Sequence, residues 1–178
     1  MKKVQVHGKT FSELIPAKDI SRRIEEIADE INRDYSGKEV IFIGILNGSF
    51  VFAASLFLKI NLDARISFVK LASYQGTASS GSVKQLIGCN ENIKDKDVIV
   101  VEDIVETGTT LESIIDELKT REAGSVKVAT LLLKADAYKK DIKLDYVGFE
   151  IPNNYVIGYG LDYEGYGRNY PSVYKMVE

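Results

Sequence analysis

One cysteine, one histidine and no excess of positive charge mark the 178-residue sequence by what it has little of. The lone Cys89 excludes an internal disulfide framework and any zinc site built from several cysteines. With no flanking motif and no histidine near it in sequence, it reads as an ordinary buried or half-buried thiol. No secretory signal peptide is recognisable, and together with the single thiol this predicts a reducing, cytoplasmic setting. Lys and Arg total 23 against 26 Asp and Glu, a formal net charge of −3. A chain so balanced has no basic excess with which to displace counterions, which argues against nucleic acid as a partner. Its apolar runs are far shorter than the ~20 residues a membrane helix requires, so no membrane partner is expected either. His7 lies in the polar N-terminal segment and reads as structural or solvated. No internal repeat is visible.

What the chain does have is an alternation between two hydrophobic periods. Val4 and Val6 alternate in a short segment that suits an edge strand. From Asp19 onward Ile20, Ile24, Ile27, Ala28 and Ile31 recur at helical spacing, predicting an amphipathic helix that ends near Tyr35-Ser36-Gly37. Val40-Ile41-Phe42-Ile43-Gly44-Ile45-Leu46 is then a continuous apolar run stopped by Asn47-Gly48-Ser49, the mark of a strand buried on both faces. A helix over about 50–59 follows, then a strand over 64–74. Residues 75–82 are small and polar and predict a mobile loop, with strand-like sequence resuming at Val83. Residues 98–101 are again wholly apolar; Leu111, Ile114, Ile115 and Leu118 form one helical face, and residues 125–133 another strand. Strands alternating with helices predict an α/β fold with a central parallel sheet flanked by helices. From Asp145 the chain is tyrosine-rich strand and turn sequence, expected as a small lobe packed on the sheet with no core of its own.

The chemistry concentrates in Val98-Ile99-Val100-Val101-Glu102-Asp103-Ile104-Val105-Glu106-Thr107-Gly108-Thr109-Thr110-Leu111. A buried strand runs into two adjacent carboxylates, and a turn of hydroxyl residues around a glycine opens a helix. In open α/β sheets the ligand crevice lies beyond the carboxyl ends of the strands. The helix start supplies unpartnered backbone N–H groups and a dipole that favours an anion. Gly108 lets backbone approach a phosphate, and Thr107, Thr109 and Thr110 add hydroxyl donors. Glu102 and Asp103, too costly to bury unpaired, must meet water, a cation or ligand hydroxyls. Thr109 and Glu112 also fit a capping box, which would give the same turn a purely structural reading.

This segment resembles the phosphoribosyl-pyrophosphate motif of type I phosphoribosyltransferases. Three further stretches extend the likeness over essentially the whole chain: Leu46-Asn47-Gly48-Ser49, Ala72-Ser73-Tyr74, and Asp145-Tyr146-Val147-Gly148-Phe149-Glu150-Ile151-Pro152 continuing to Asp162-Tyr163. They resemble the pyrophosphate loop, the lid and the purine-side lobe of the hypoxanthine-guanine phosphoribosyltransferases. The resemblance implies Mg²⁺-dependent transfer of a 5-phosphoribosyl group from phosphoribosyl pyrophosphate to N9 of a 6-oxopurine, in purine salvage. It implies a core of about 19–134 and a purine-binding hood of about 1–18 and 145–178 within one domain, and a homodimer or homotetramer.

Residue by residue, the resemblance gives Glu102 and Asp103 the ribose hydroxyls and magnesium, and residues 106–110 the 5′-phosphate. Lys134 would donate to the purine O6, Tyr155 stack on the base and Val156 touch its edge through backbone. Asp162 would lie by a second magnesium and Arg168 reach pyrophosphate, while Ser73 and Tyr74 would close over it. Leu46, Asn47 and Gly48 would present backbone N–H groups to pyrophosphate through a cis peptide. Two departures stand out. Glu106 occupies the position where the family usually has Asp as general base, and Asn47 the position where many members have Lys.

Lys134 favours a 6-oxo base over adenine, because a site built to donate to a carbonyl penalises an amino group there. Xanthine remains an alternative to hypoxanthine and guanine. A non-catalytic regulator that kept the donor pocket would need a DNA-binding segment or a basic face, and this chain has neither. A dinucleotide-binding dehydrogenase would need a glycine fingerprint after the first strand, where Gly158 and Gly160 do not lie.

Overall fold

The computed structural model describes residues 2–73, 83–88 and 90–177. Tyr74, the loop over 75–82 and Cys89 therefore lie outside the described residues. The strands run β1 (Lys3–Val6), β2 (Lys9–Ile15), β3 (Glu39–Leu46), β4 (Asp63–Ser73), β5 (Val83–Ile87), β6 (Asp97–Val105), β7 (Ser125–Leu133), β8 (Tyr146–Glu150), β9 (Val156–Ile157) and β10 (Val173–Val177). The helices are α1 (Ala17–Asp34), α2 (Phe50–Phe57) and α3 (Thr109–Thr120). Among the described residues no helix is long and apolar enough to cross a membrane.

The main sheet has the order β5-β4-β3-β6-β7-β8, with β4, β3, β6, β7 and β8 mutually parallel and β5 antiparallel on the edge. Its central strands show why an unbroken apolar run is needed. Val40, Phe42, Ile99 and Val101 point to the face covered by α1 and α2, where they meet Ile24, Phe52 and Leu56. Ile41, Ile43, Val98 and Val100 point to the other face, where they meet Leu111, Ile114 and Leu118 of α3. Period two along the strand thus feeds two separate cores.

Helix α1 begins two residues before the expected Asp19, directly after Pro16, whose extended backbone (φ −66°, ψ 147°) forms the N-cap. Ile20, Ile24, Ile27, Ala28 and Ile31 are all buried, as their spacing predicts. Helix α2 stops at Phe57 rather than Lys59, with Leu58 as its C-cap.

The chain termini form a second, antiparallel sheet of order β1-β2-β10-β9 over a small core of Val6, Phe11, Ile157 and Tyr174. This lobe therefore does own a small core, contrary to expectation. β2 was not apparent in the sequence, because Lys9-Thr-Phe-Ser-Glu-Leu-Ile carries no clean alternation and its partner β10 is offset by an irregularity at Val173/Tyr174. The hood expected from residue 145 onward also shrinks: β8 pairs in parallel with β7 and belongs to the main sheet.

Parallel pairing brings the carboxyl ends of β3, β6 and β7 to one edge. Val105 lies opposite Leu133, and Gly44 opposite Val101. The loops after these three strands consequently face one crevice.

The load on α1 can be measured. Ile27 is fully buried, so Ile27→Ala is expected to destabilise the fold by about 2–5 kcal/mol. Urea unfolding should show a lower midpoint at unchanged slope. A loss below about 1 kcal/mol would mean that α1 is not part of the main cooperative core.

Candidate active site

Glu102 and Asp103 sit at the crevice end of β6 and are 8% and 9% exposed. Burial pushes the Glu102 carboxyl well above the ordinary carboxylate range, and the adjoining Asp103 charge adds to it. Burial also raises Asp103, although hydrogen bonds and the positive field of Arg168 oppose the shift. Glu102 Oε2 is buried with no hydrogen-bond partner among the described residues. A buried acceptor without a partner is costly, and here it belongs to a hard oxygen donor suited to a cation or to hydroxyl groups.

Above the pair lies the loop after β3, where the Leu46–Asn47 peptide is cis. A Cβ on Gly48 would overlap the Asp103 carboxylate, and one on Gly160 would overlap the Gly48 carbonyl oxygen. Gly160 has a φ of 103°, so its backbone also disfavours a side chain. Three segments distant in sequence therefore meet within backbone contact over the acidic pair.

After Val105 the chain turns through Glu106, Thr107 and Gly108 into α3. Gly108 occupies the N-cap at a φ of 83° and offers no side-chain cap, while Thr107 Oγ1 accepts from the Thr109 amide at 3.5 Å. The capping box open to Thr109 and Glu112 is not formed, because Thr109 is already helical and Glu112 pairs instead with Lys140. Thr107 and Thr109 bring their hydroxyl oxygens within 3.2 Å of each other. The helix start is thus left with amides available to an anion. It opens on a cleft of about 260 Å³ lined by residues from Glu102 to Leu111.

A second cleft of about 250 Å³ adjoins it and shares Asp103, Ile104 and Glu106. Its other walls are Lys134, Tyr155, Val156, Leu161 and Asp162. Lys134 directly follows β7, is 6% exposed and directs its ammonium into an ion pair with Glu106. The Tyr155 ring is half-exposed; its hydroxyl donates to the Asp162 carbonyl at 3.0 Å, and the Tyr163 ring stands edge-on to it at 5.6 Å. Arg168 pairs with Asp162 at 2.6 Å and donates to the Gly160 carbonyl at 2.7 Å. One cleft is thus anion-ready and the other flat-walled with a buried ammonium.

This geometry has close counterparts. The family model described as phosphoribosyl transferase domain matches residues 11–164. The hypoxanthine-guanine phosphoribosyltransferase of Staphylococcus aureus (strain Mu50 / ATCC 700699) is 39% identical over 169 residues, 94% of either chain. That of Aquifex aeolicus (strain VF5) is 38% identical over 176 residues, 98% of either chain. A crystal structure of a hypoxanthine-guanine phosphoribosyltransferase from Bacillus anthracis superposes with a TM-score of 0.88 at 38% identity, covering 94% of this chain and 97% of that one.

The chain belongs to the hypoxanthine-guanine phosphoribosyltransferase family. It is accordingly a glycosyl-transferring enzyme, and its central parallel sheet flanked by helices is the fold of that family.

Against that background, the structure gathers Glu102, Asp103, Glu106, Thr107, Gly108, Thr109 and Thr110 around the first cleft. Lys134, Tyr155, Val156 and Asp162 join the second. Gly48 belongs with them through its contact with Asp103. Leu46 and Asn47 flank the cis peptide beside it. Arg168 is engaged with Asp162 and the Gly160 carbonyl, as a brace between turns of the hood. Ser73 is the last described residue of β4. Among the described residues no three acidic, His or Cys side chains converge to hold a metal ion. The sequence reading missed Ile104 and Leu161 as apolar walls, and missed Tyr138 and Lys140 over Gly108. Ile104 stands among the apolar positions of the acidic motif, whereas no periodicity or motif marks Tyr138 and Lys140.

Gly48→Ala tests the contact over the acidic pair. Displacing the loop from Asp103 is expected to lower kcat/KM for pyrophosphate release by about 100-fold, the scale of a 1 Å misplacement. Circular dichroism should show an intact fold. Unaltered kcat/KM would mean that the loop yields without consequence.

Proposed function

We propose that this protein is a cytoplasmic purine-salvage enzyme that transfers the 5-phosphoribosyl group of phosphoribosyl pyrophosphate to N9 of hypoxanthine or guanine. IMP or GMP and pyrophosphate would be the products, Mg²⁺ the metal, and a homodimer or homotetramer the working form. The observation that carries this reading is the junction of the two clefts at Glu106. An anion-ready helix start lies on one side, and a flat cleft with a buried lysine and a half-exposed tyrosine on the other.

In this reading the amides of α3 and the hydroxyls of Thr107, Thr109 and Thr110 hold the 5′-phosphate. Glu102 and Asp103 accept from the ribose hydroxyls and are the residues that would hold the metal. Their fit rests on the unpartnered Glu102 oxygen and on a donor set made wholly of hard carboxylate oxygens. When bound, Mg²⁺ neutralises charge on the leaving pyrophosphate. Leu46, Asn47 and Gly48 offer backbone groups to the same pyrophosphate, and Arg168 is poised behind Asp162.

Tyr155 covers one face of the base, and Lys134 donates to its O6. Lys134 and Glu106 are paired in the free protein. An O6 acceptor would compete for the ammonium and leave the Glu106 carboxylate facing the imidazole side of the purine. There it would take up the proton that the base loses as its N9 bonds to the sugar carbon. Positioning N9 against that carbon, with water kept out, accounts for the remaining acceleration. Ser73 and Tyr74 would supply that exclusion.

The decisive measurement is pyrophosphate release with hypoxanthine, guanine, xanthine and adenine, with and without Mg²⁺. Release with a 6-oxopurine and Mg²⁺ and little with adenine is expected; no release with any base would overturn the proposal. Glu106→Gln should lower turnover about 10-fold or more at saturating purine, the scale of a general base. An unchanged rate would remove Glu106 from the proton transfer.

A further inference from the structure

The phosphate turn carries a roof. After β7 the chain reverses at Lys134, whose carbonyl accepts from the amides of Ala137 at 3.0 Å and Tyr138 at 3.1 Å. The Tyr138 hydroxyl donates to the Ile142 carbonyl at 2.6 Å and fixes the ring over Gly108. A Cβ on Gly108 would lie 2.7 Å from Tyr138 Cε2 and 2.9 Å from Lys140 Cγ, so the aliphatic stem of Lys140 also lies against the turn. Its ammonium then reaches Glu112 Oε2 at 2.6 Å.

Glu112 lies in the first turn of α3. For the helix alone a carboxylate there is favourable, because it faces the positive end of the dipole. For an anion bound by the same amides it is a like charge at close quarters. The surrounding cleft adds Glu102, Asp103 and Glu106; among the described residues Glu106 is ion-paired with Lys134, and Asp103 feels the more distant charge of Arg168. Glu112 is the acid carried by the helix start itself, and Lys140 is the cation that meets it, while the Asp141 charge also acts on the roofing Tyr138. The unpartnered, buried Glu102 oxygen lining this cleft independently marks it as a place completed by a ligand.

We propose that Lys140 is a positioning residue that screens Glu112, and that this screening raises the affinity of the turn for the 5′-phosphate. The proposal rests on the phosphate placement of the preceding subsection. Lys140 acts through Glu112 and does not touch the phosphate; its stem, with Tyr138, also keeps the Gly108 turn in place.

The test compares binding of IMP and of inosine, which lacks the phosphate, by isothermal titration calorimetry. Lys140→Met should weaken IMP about five-fold, leave inosine unmoved, and raise KM for the donor without lowering kcat. Lys140→Arg should restore the wild-type value, and Glu112→Gln combined with Lys140→Met should restore it as well. The difference should shrink in molar salt, where the screening length falls to about 3 Å. Unchanged IMP binding in Lys140→Met overturns the proposal. So does a double variant as weak as Lys140→Met, which would mean that the lysine contacts phosphate directly. Equal losses for IMP and inosine also overturn it, as the mark of a merely structural role. A wild-type protein that binds IMP no better than inosine fails at an earlier step and overturns the phosphate placement itself.

Discussion

Burying two adjacent carboxyls at the end of a central strand creates a demand that the neighbouring segments are arranged to meet. Their own strand satisfies Glu102 and Asp103 only in part: backbone amides of Asp103 and Ile104 donate to these carboxyls, but burial outweighs them. Burial raises both carboxyls, and one oxygen of Glu102 is left without a partner. Such a pair is tolerable only where something arrives to complete it. The structure keeps that arrival route open: the loop after β3 crosses above the pair with a glycine, and the hood meets that glycine with another. A Cβ at Gly48 would collide with the Asp103 carboxylate, and one at Gly160 with the Gly48 carbonyl oxygen, so both close approaches depend on glycine.

The same demand explains the division between the two sheets. The parallel sheet supplies a rigid edge at which strand ends, and hence loop origins, are held level by register. The antiparallel sheet of the termini contributes Tyr155 and Val156 from one end and turns back to Gly160, Asp162 and Arg168. Arg168 ties Asp162 to the Gly160 carbonyl, so the hood's acid, its aromatic wall and its contact with the β3 loop are bonded to one another. Loops with these roles need a scaffold beneath them, and each of the two sheets provides one.

Much of this was legible in the amino-acid sequence, for identifiable reasons. Buried parallel strands need apolar residues on both faces, so β3 and β6 stand out as unbroken runs, and α1 stands out by its isoleucine spacing. The acidic pair lies near the end of β6 and the threonine-glycine turn follows the strand, so a local pattern carries most of the phosphate cleft. β2 and β10 were not legible, because an irregularly paired strand in a small lobe has no clean alternation. Nor was the assignment of β8, since a short strand following a long loop carries no sign of which sheet it joins. The roof of Tyr138 and Lys140 depends on a chain reversal at Lys134 that brings residue 140 back onto residue 108. Contacts of that kind are written in the tertiary fold, not in any local period.

The charge balance takes on a different meaning once the site is in view. A net charge of −3 argues against a polyanion spread over the surface, since that requires many cations at once. A single phosphate asks for much less: a helix start with amides left over for it and a few acids kept from repelling it. Glu106 is paired with Lys134, and Glu112 with Lys140, so two of the carboxylates nearest the turn are already compensated from the segment following β7. Glu102 and Asp103 are the two without such a lysine, and they are also the pair whose carboxyls burial raises. Compensation in the crevice is therefore uneven: Glu106 and Glu112 have ion-pair partners, while Asp103 feels only the field of Arg168 and Glu102 keeps a buried oxygen without a partner among the described residues. An acidic protein can in this way bind an anionic sugar phosphate without a basic surface, provided the lysines follow the strand next to the one that carries the acids.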